Sequence, residues 1–227
     1  MMTIILWLSL HLLSPSLTSG IGFELTVEDQ SATPKAPVAL SVDAIPGKTY
    51  CQFTAPGYAP VSLIVEGDKG RVTLLPPQGE QTAYQYSAEG LPFLLNMGIQ
   101  QLGIDKEWQL LRSFLETSTV DPSGETMQRQ GFTCEKIILR STEGELIAWM
   151  AAELKGQSAL MTRQWADLPY LKDIGALWST LDAYGFPVQM TYKSNDGTLQ
   201  GALRVSDIRQ QIPQERFDLS SYTLQQQ

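Results

Sequence analysis

The sequence predicts an α+β protein: an antiparallel sheet built from hairpins, with two or three amphipathic helices inserted between them. Three observations lead there. Apolar residues alternate with period two from Gly22 to about Tyr86, from Gly131 to Ala151 and from Pro187 to Val205, the pattern of half-buried strands. Between Leu91 and Thr117, and again between Leu171 and Tyr184, the apolar spacing changes to three and four, which places those residues on one stripe of a helix. Finally, 227 residues with 43% hydrophobic and 18% charged content suffice for one domain with a substantial core and argue against disorder.

The strands can be followed in order. Phe23, Leu25 and Val27 share one face against Glu24, Thr26 and Glu28; Val38, Leu40 and Val42 repeat the pattern after the Pro34–Pro37 interruption. Ile45-Pro46-Gly47-Lys48 reads as a turn, and Tyr50 to Phe53 as a short strand carrying Cys51. Val61, Leu63 and Val65 run into Glu66-Gly67-Asp68-Lys69-Gly70 and return through Val72 and Leu74, until Pro76-Pro77 stops the strand. Thr82 to Tyr86 add one more. The first helical stripe then carries Leu94, Met97, Ile104, Trp108, Leu111 and Leu115, and Asp121-Pro122-Ser123-Gly124 reads as its end.

A central hairpin follows, Gly131 to Arg140 and Glu145 to Ala151, with Gly144 near the turn where positive φ is cheapest. Met161, Trp165 and Leu168 read as a short helical turn before Pro169, and Leu171, Ile174, Leu177, Trp178 and Leu181 as the second amphipathic helix, capped by Gly185. Val188, Met190 and Tyr192 then pair across Ser194-Asn195-Asp196-Gly197 with Leu199, Leu203 and Val205. Phe217-Asp218-Leu219 reads as a short last strand and 225–227 as a tail.

Charge and compartment narrow the function. The net charge of -8 and pI of about 4.7 come without any basic stripe, which excludes nucleic acid as an expected partner. The first twenty residues hold no Asp, Glu, Lys or Arg, and Met2 to Leu13 is an apolar run too short to span a bilayer. Residues 1–20 therefore read as a signal peptide cleaved after Ser19 or Gly20, with an uncleaved anchor as the alternative. The domain is expected over 21–224, periplasmic or secreted, with no membrane span after cleavage.

Cleavage has chemical consequences. His11 is the only histidine, so the mature chain has none and loses Ser-His, Cys-His and His-zinc chemistry. In an oxidising compartment Cys51 and Cys134 are expected to form one long-range disulfide, worth about 4 to 5 kcal/mol in the chain-entropy model; two separate buried thiols are the alternative. No nucleotide, redox, metal or hydrolase motif occurs, so neither cofactor nor enzymatic activity is expected.

Gly131-Phe132-x-Cys134-x-Lys136, Ala148-Trp149-x-Ala151, Gly185-x-Pro187 and Phe217-x-Leu219-x-x-Tyr222 together resemble a family of bacterial secreted proteins of unknown function, similar in turn to the LolA-type lipoprotein carriers. The resemblance covers roughly residues 125 to 224. It implies a LolA-like fold, a curved antiparallel β-sheet forming an open half-barrel with helices on its concave face, able to hold something greasy. It transfers no site, because no Arg here matches the carriers' ligand-gating position, and Ser220-Ser221 stand where the final motif usually has Pro. On the residues themselves, Trp149, Trp165 and Trp178 with Met150, Met161, Met190 and Tyr192 are the candidate lining of a hydrophobic pocket, and plain core packing explains them equally. The expected partner is a lipid or other hydrophobic ligand; the alternative is an envelope protein bound by a structural or interaction module.

Overall fold

The computed structural model describes residues 17–30, 34–77, 79–87, 109–110, 112–115, 119–165 and 171–227. Among them are twelve strands: β1 (Leu17–Asp29), β2 (Val38–Ile45), β3 (Lys48–Thr54), β4 (Val61–Glu66), β5 (Arg71–Leu75), β6 (Thr82–Ser87), β7 (Thr119–Arg129), β8 (Phe132–Arg140), β9 (Gly144–Ala151), β10 (Phe186–Ser194), β11 (Gln200–Pro213) and β12 (Thr223–Gln226). Two helices, α1 (Ala159–Trp165) and α2 (Leu171–Asp182), interrupt the strands, and residues 109–110 and 112–115 are helical as well.

All twelve strands form one sheet in the order β12-β6-β5-β4-β3-β2-β1-β11-β10-β9-β8-β7. The sheet is open, with β12 and β7 at its edges, and every pairing is antiparallel except β12 with β6. The N-terminal meander β1–β6 and the C-terminal strands β7–β11 meet only where β1 pairs with β11, Leu25 opposite Val205 and Val27 opposite Leu203. Alternation gives the sheet two differently covered faces. Phe23, Val42, Cys51 and Leu63 stand opposite one another across β1–β4, and they belong to the main core with Met190, Ala148, Ile137 and Leu139 of β8–β10. The reverse face of β3 and β4 carries Tyr50 and Ile64, which pack with Ile212 and Phe217 in a second, smaller core. There the chain crosses through a 3₁₀ turn at Gln214–Phe217 before β12 joins the β6 edge.

Several expectations change. Asp121-Pro122-Ser123-Gly124 does not end a helix; it lies within edge strand β7, whose register with β8 shifts between Pro122 and Thr126. An edge tolerates the missing N–H of proline, and a bulge absorbs the irregularity. Gln225 and Gln226 lie in β12 rather than in a tail, and Phe217 in the 3₁₀ turn rather than in a strand. Gly144 has no positive φ: it is buried in β9, and a Cβ there would stand 2.4 Å from the Lys193 carbonyl oxygen. It is glycine for the close approach of β10. In the helical residues 109–115 the buried side chains are Leu110 and Phe114, with Leu115 only partly buried. Leu94, Met97, Ile104, Trp108, Leu111 and Leu168 lie outside the described residues. β1 starts at Leu17, so the pairs of Leu17, Thr18 and Ser19 with Pro213, Ile212 and Gln211 precede the expected mature start.

The disulfide is corrected. Cys51 and Cys134 are both free and buried. Cys51 is on β3 and Cys134 on β8, with β2, β1, β11, β10 and β9 between them, a separation of about 29 Å along the sheet at about 4.8 Å per strand. A bridge needs Cα atoms within about 7 Å. Burial pushes the Cys51 thiol up to about 12, with the Asp43 carboxylate adding to the shift, and burial raises Cys134 as well, the Glu153 carboxylate acting in the same direction. Both are held as unreactive thiols. Alkylation of the folded protein is therefore expected to leave both cysteines unmodified, and unfolding without reductant to label both. A Cys51–Cys134 linked peptide in the non-reduced digest would contradict the strand order.

Candidate functional site

The helices lie on the face of the sheet that carries the main core. At its centre three rings from distant parts of the chain pack together: Phe23 of β1, Trp178 of α2 and Phe186 of β10. Phe23 and Trp178 stack with centroids 5.6 Å apart, while Phe186 meets both edge-on, at 5.3 Å from Phe23 and 5.2 Å from Trp178. Stacked and edge-to-face geometries suit the ring quadrupoles and add about 0.5–1.5 kcal/mol per pair beyond area burial. Leu177 and Leu181 follow Trp178 into the same core, as the three-four spacing of α2 requires.

Polar contacts fix how the helices lie on the sheet. The Asp182 carboxylate, at the end of α2, accepts bonds from the Gly156 N–H at 3.0 Å and from the Ser158 hydroxyl, and so ties the entry of α1 to α2. Gln164, near the other end of α1, accepts the Gly67 N–H through Oε1 at 2.9 Å, anchoring α1 beside the β4–β5 connection. Leu110 packs against Gly144, and the Ser113 hydroxyl is 2.9 Å from that of Ser141. Arg112 reaches Asp173 of α2 at 3.4 Å. Sheet and helices are thus joined by short, specific contacts at the helix ends.

The predicted lining residues do not all converge. Met150, Met161, Met190 and Trp178 are buried in the one main core. Tyr192 is half-buried at its margin, with its ring lying across Gly201, where a Cβ would stand 2.4 Å from the hydroxyl. Trp149 is adjacent to Met150 on β9 and so points to the opposite side of the sheet, where Lys136 Nζ sits 6.0 Å from its ring centroid. It is half-buried and still packs against the main core. Trp165 closes α1, and its side chain lies outside the described residues. Phe23 and Phe186 complete the ring cluster and were not singled out from the sequence; Phe23 was visible only as one of an alternating set, and Phe186 sat unmarked between Gly185 and Pro187.

Two buried carboxylates flank this layer. Glu66, its side chain 3% exposed, is bonded by Lys69 Nζ at 2.8 Å and by Arg71 Nε at 2.9 Å, with Lys48 at 3.7 Å. Burial alone would raise its pKa, but the Lys69 and Arg71 hydrogen bonds and the neighbouring positive charges bring it below the ordinary glutamate value. Asp43, on the reverse face of β2, is fully buried between Arg209 at 3.0 Å and Arg216 at 3.1 Å. Here burial outweighs both guanidinium groups and the carboxyl is held above its ordinary value, in keeping with Asp43 Oδ2 and Arg209 Nε making no hydrogen bond. Among the described residues no group of three or more His, Cys, Asp or Glu side chains could hold a metal ion, and no helix is long and apolar enough to cross a membrane.

No family model matches this chain, and no curated protein does. Solved structures similar to it include MucB, at 7% identity and a TM-score of 0.43, covering 85% of this chain and 54% of that one. The LolA superfamily protein NE2245 from Nitrosomonas europaea is similar at 8% identity and a TM-score of 0.30, covering 88% and 90%. A DUF1329 family protein from Desulfovibrio piger is similar at 7% identity and a TM-score of 0.24, covering 91% and 92%. PNGF-II, at 9% identity and a TM-score of 0.38, covers 92% of this chain, which spans only 32% of its length. Likenesses at this level assign no activity, so the functional reading rests on this chain's own residues.

The Glu66 network gives a pH-dependent prediction. A carboxylate whose folded pKa lies below its unfolded value contributes stability that is present above the unfolded value and is lost as pH falls through the folded one. Glu66→Gln is expected to lower unfolding free energy at pH 7 by about 1–2 kcal/mol, the part-exposed cations keeping the effect modest. Denaturant titrations of both proteins should converge as pH falls below the ordinary glutamate value of 4.5. A deficit that persists undiminished into strong acid would show that Glu66 acts by packing alone.

Proposed function

We propose that this chain is an exported envelope protein, periplasmic or secreted, that binds or carries a lipid or other hydrophobic ligand between its sheet and its helices, and that it has no catalytic activity. One observation carries this reading. The inner face of the sheet is a continuous apolar layer, and what covers it includes two short helices, tied to each other by Asp182 with Gly156 and Ser158 and to the β4–β5 connection by Gln164 with Gly67. The polar anchors hold this cover only weakly, each worth about 0.5–1.5 kcal/mol net; it is held mainly by burial of Met161, Leu177, Trp178 and Leu181, about 1.5–3 kcal/mol per side chain, and an apolar ligand taking their place against the sheet would offset that cost. Met150, Met161 and Met190 line the layer with thioethers that adapt to irregular apolar shapes. The charge-free leader supports export, and a mature chain without histidine supports binding over catalysis.

A second reading, an envelope interaction module without a small ligand, is favoured by the β3–β4 tip. From Ala55 to Val61 every residue is uncharged and apolar in character; Tyr58 is 63% exposed and Val61 47%, the kind of exposed apolar feature that marks contact surfaces.

Titration with a fluorescent fatty-acid analogue separates the two. The carrier reading expects saturable binding at micromolar concentration, displaced by unlabelled fatty acid and abolished by Met190→Asp if that variant remains folded by far-UV dichroism. No saturable binding by the native protein contradicts it and leaves the interaction module.

A further inference from the structure

We propose that the fork where β10 and β11 part binds one oxyanion, the phosphate or carboxylate group of a ligand, on Arg129 and Arg204. β10 and β11 pair from Lys193 opposite Gln200 to Gln189 opposite Arg204 and then separate, β10 continuing to Phe186 against β9 and β11 to Pro213 against β1. In the fork lies an open depression of about 100 Å³ lined by Arg129, Gln130, Val188, Gln189, Arg204 and Val205. That is room for one oxyanion, well below the ~300 Å³ of a whole-ligand pocket.

The lining is one-sided in charge. Its lining residues include two arginines and two glutamines and no Asp or Glu, although the chain carries a net charge of -8. Arg204 is held in place by Glu28, which accepts from Nε at 3.1 Å through both oxygens, so the two terminal amino groups of the fork donor remain for a ligand. Arg129 donates Nε to the Met127 sulfur at 3.1 Å and, like Arg163 on α1, makes no ion pair with a described carboxylate, whereas Arg71, Arg112, Arg140, Arg204, Arg209 and Arg216 all do. Val188 and Val205 belong to the main core and supply an apolar floor, which strengthens charge-assisted bonds above it.

The backbone adds an independent observation. Gln130, one of the two described non-glycine residues with positive φ (53°), lines this depression. Gln130 and Gly131 form a tight two-residue turn with both φ values positive, which fixes the direction of the β7–β8 tip and with it Arg129. Left-handed conformations at such residues cost energy and gather where function needs a fixed geometry. The site does not depend on the hydrophobic-ligand reading.

The test is a titration of the full mature protein with inorganic phosphate and with acetate, followed by backbone amide shifts. Shifts are expected at Gln130, Gly131, Gln189 and Arg204, weakened about tenfold in Arg129→Gln by the loss of one charge-assisted donor, partly restored in Arg129→Lys, and unchanged in Arg163→Gln, which removes an exposed arginine on α1. Glycerol 3-phosphate and lysophosphatidic acid below its micelle concentration then separate the sources: equal binding assigns a free phosphate compound, tighter binding of the lipid assigns a headgroup. Shifts scattered over the surface, no titration at all, or equal weakening in the Arg129 and Arg163 variants would overturn the proposal.

Discussion

The pairing of β1 with β11 is the constraint on which the rest of the structure depends. It joins residues near the two ends of the chain, Asp29 opposite Gly201 and Glu24 opposite Ser206, and without it the N-terminal meander and the C-terminal hairpins would be two separate sheets, each exposing an edge. Edges are costly in water because their N–H and C=O groups invite pairing with other chains. Closing so long a loop is entropically expensive, but the cost grows only slowly with length, and the pairing is long, with Leu25 against Val205 and Val27 against Leu203 among its pairs. The two irregularities of this pairing, at Ser19/Gly22 and Gly22/Glu24, lie beside Asp43, so the same stretch that joins the halves also accommodates the most deeply buried carboxylate.

Once the halves are joined, Phe23, Trp178 and Phe186 come within stacking distance and fix α2 over the junction. The sheet then has two different faces. One is a continuous apolar layer under separately anchored helices; the other is partly covered by the crossing segment that carries Arg216 and Phe217. The two buried acids lie off the inner layer: Glu66, at the end of β4, is bonded by Lys69 and Arg71, and Asp43, on the reverse face of β2, is caught between Arg209 and Arg216. Placing charges there leaves the inner layer free of them, as burial in an apolar layer requires.

Strand content was legible because half-buried strands write period two into the sequence, and Phe23, Leu25 and Val27 or Val188 and Met190 appear as read. The second helix was legible for the same reason, with Trp178 and Leu181 on the expected stripe. Sheet order was not, since β1 beside β11 is a tertiary pairing with no local signal, and the expected Cys51–Cys134 bridge failed on that point: compartment chemistry permitted it, and strand order placed the thiols apart. β7 was lost because Pro122 and Gly124 are loop residues in most settings and strand residues at an edge. Of the candidate lining, Met150, Met161, Met190 and Trp178 lie buried in the main core and Trp149 is half-buried against it; residue type alone did not reveal the alternation along β9 that sets Trp149 and Met150 on opposite sides of the strand. Asp43 and Glu66 were invisible because nothing in a single sequence distinguishes a buried acid from a solvated one.

The fold is thus a single sheet joined at its centre and bearing one apolar layer. Residue-resolved hydrogen exchange of the folded protein tests this most directly. The slowest-exchanging amides should include those of Leu25 to Glu28 and Ala202 to Val205, protected to the same free energy as the β3–β4 and β8–β9 pairs, because opening the junction exposes the ring cluster and both halves of the core. Rapid exchange at the β1–β11 junction, with the two halves remaining protected to different extents, would contradict it.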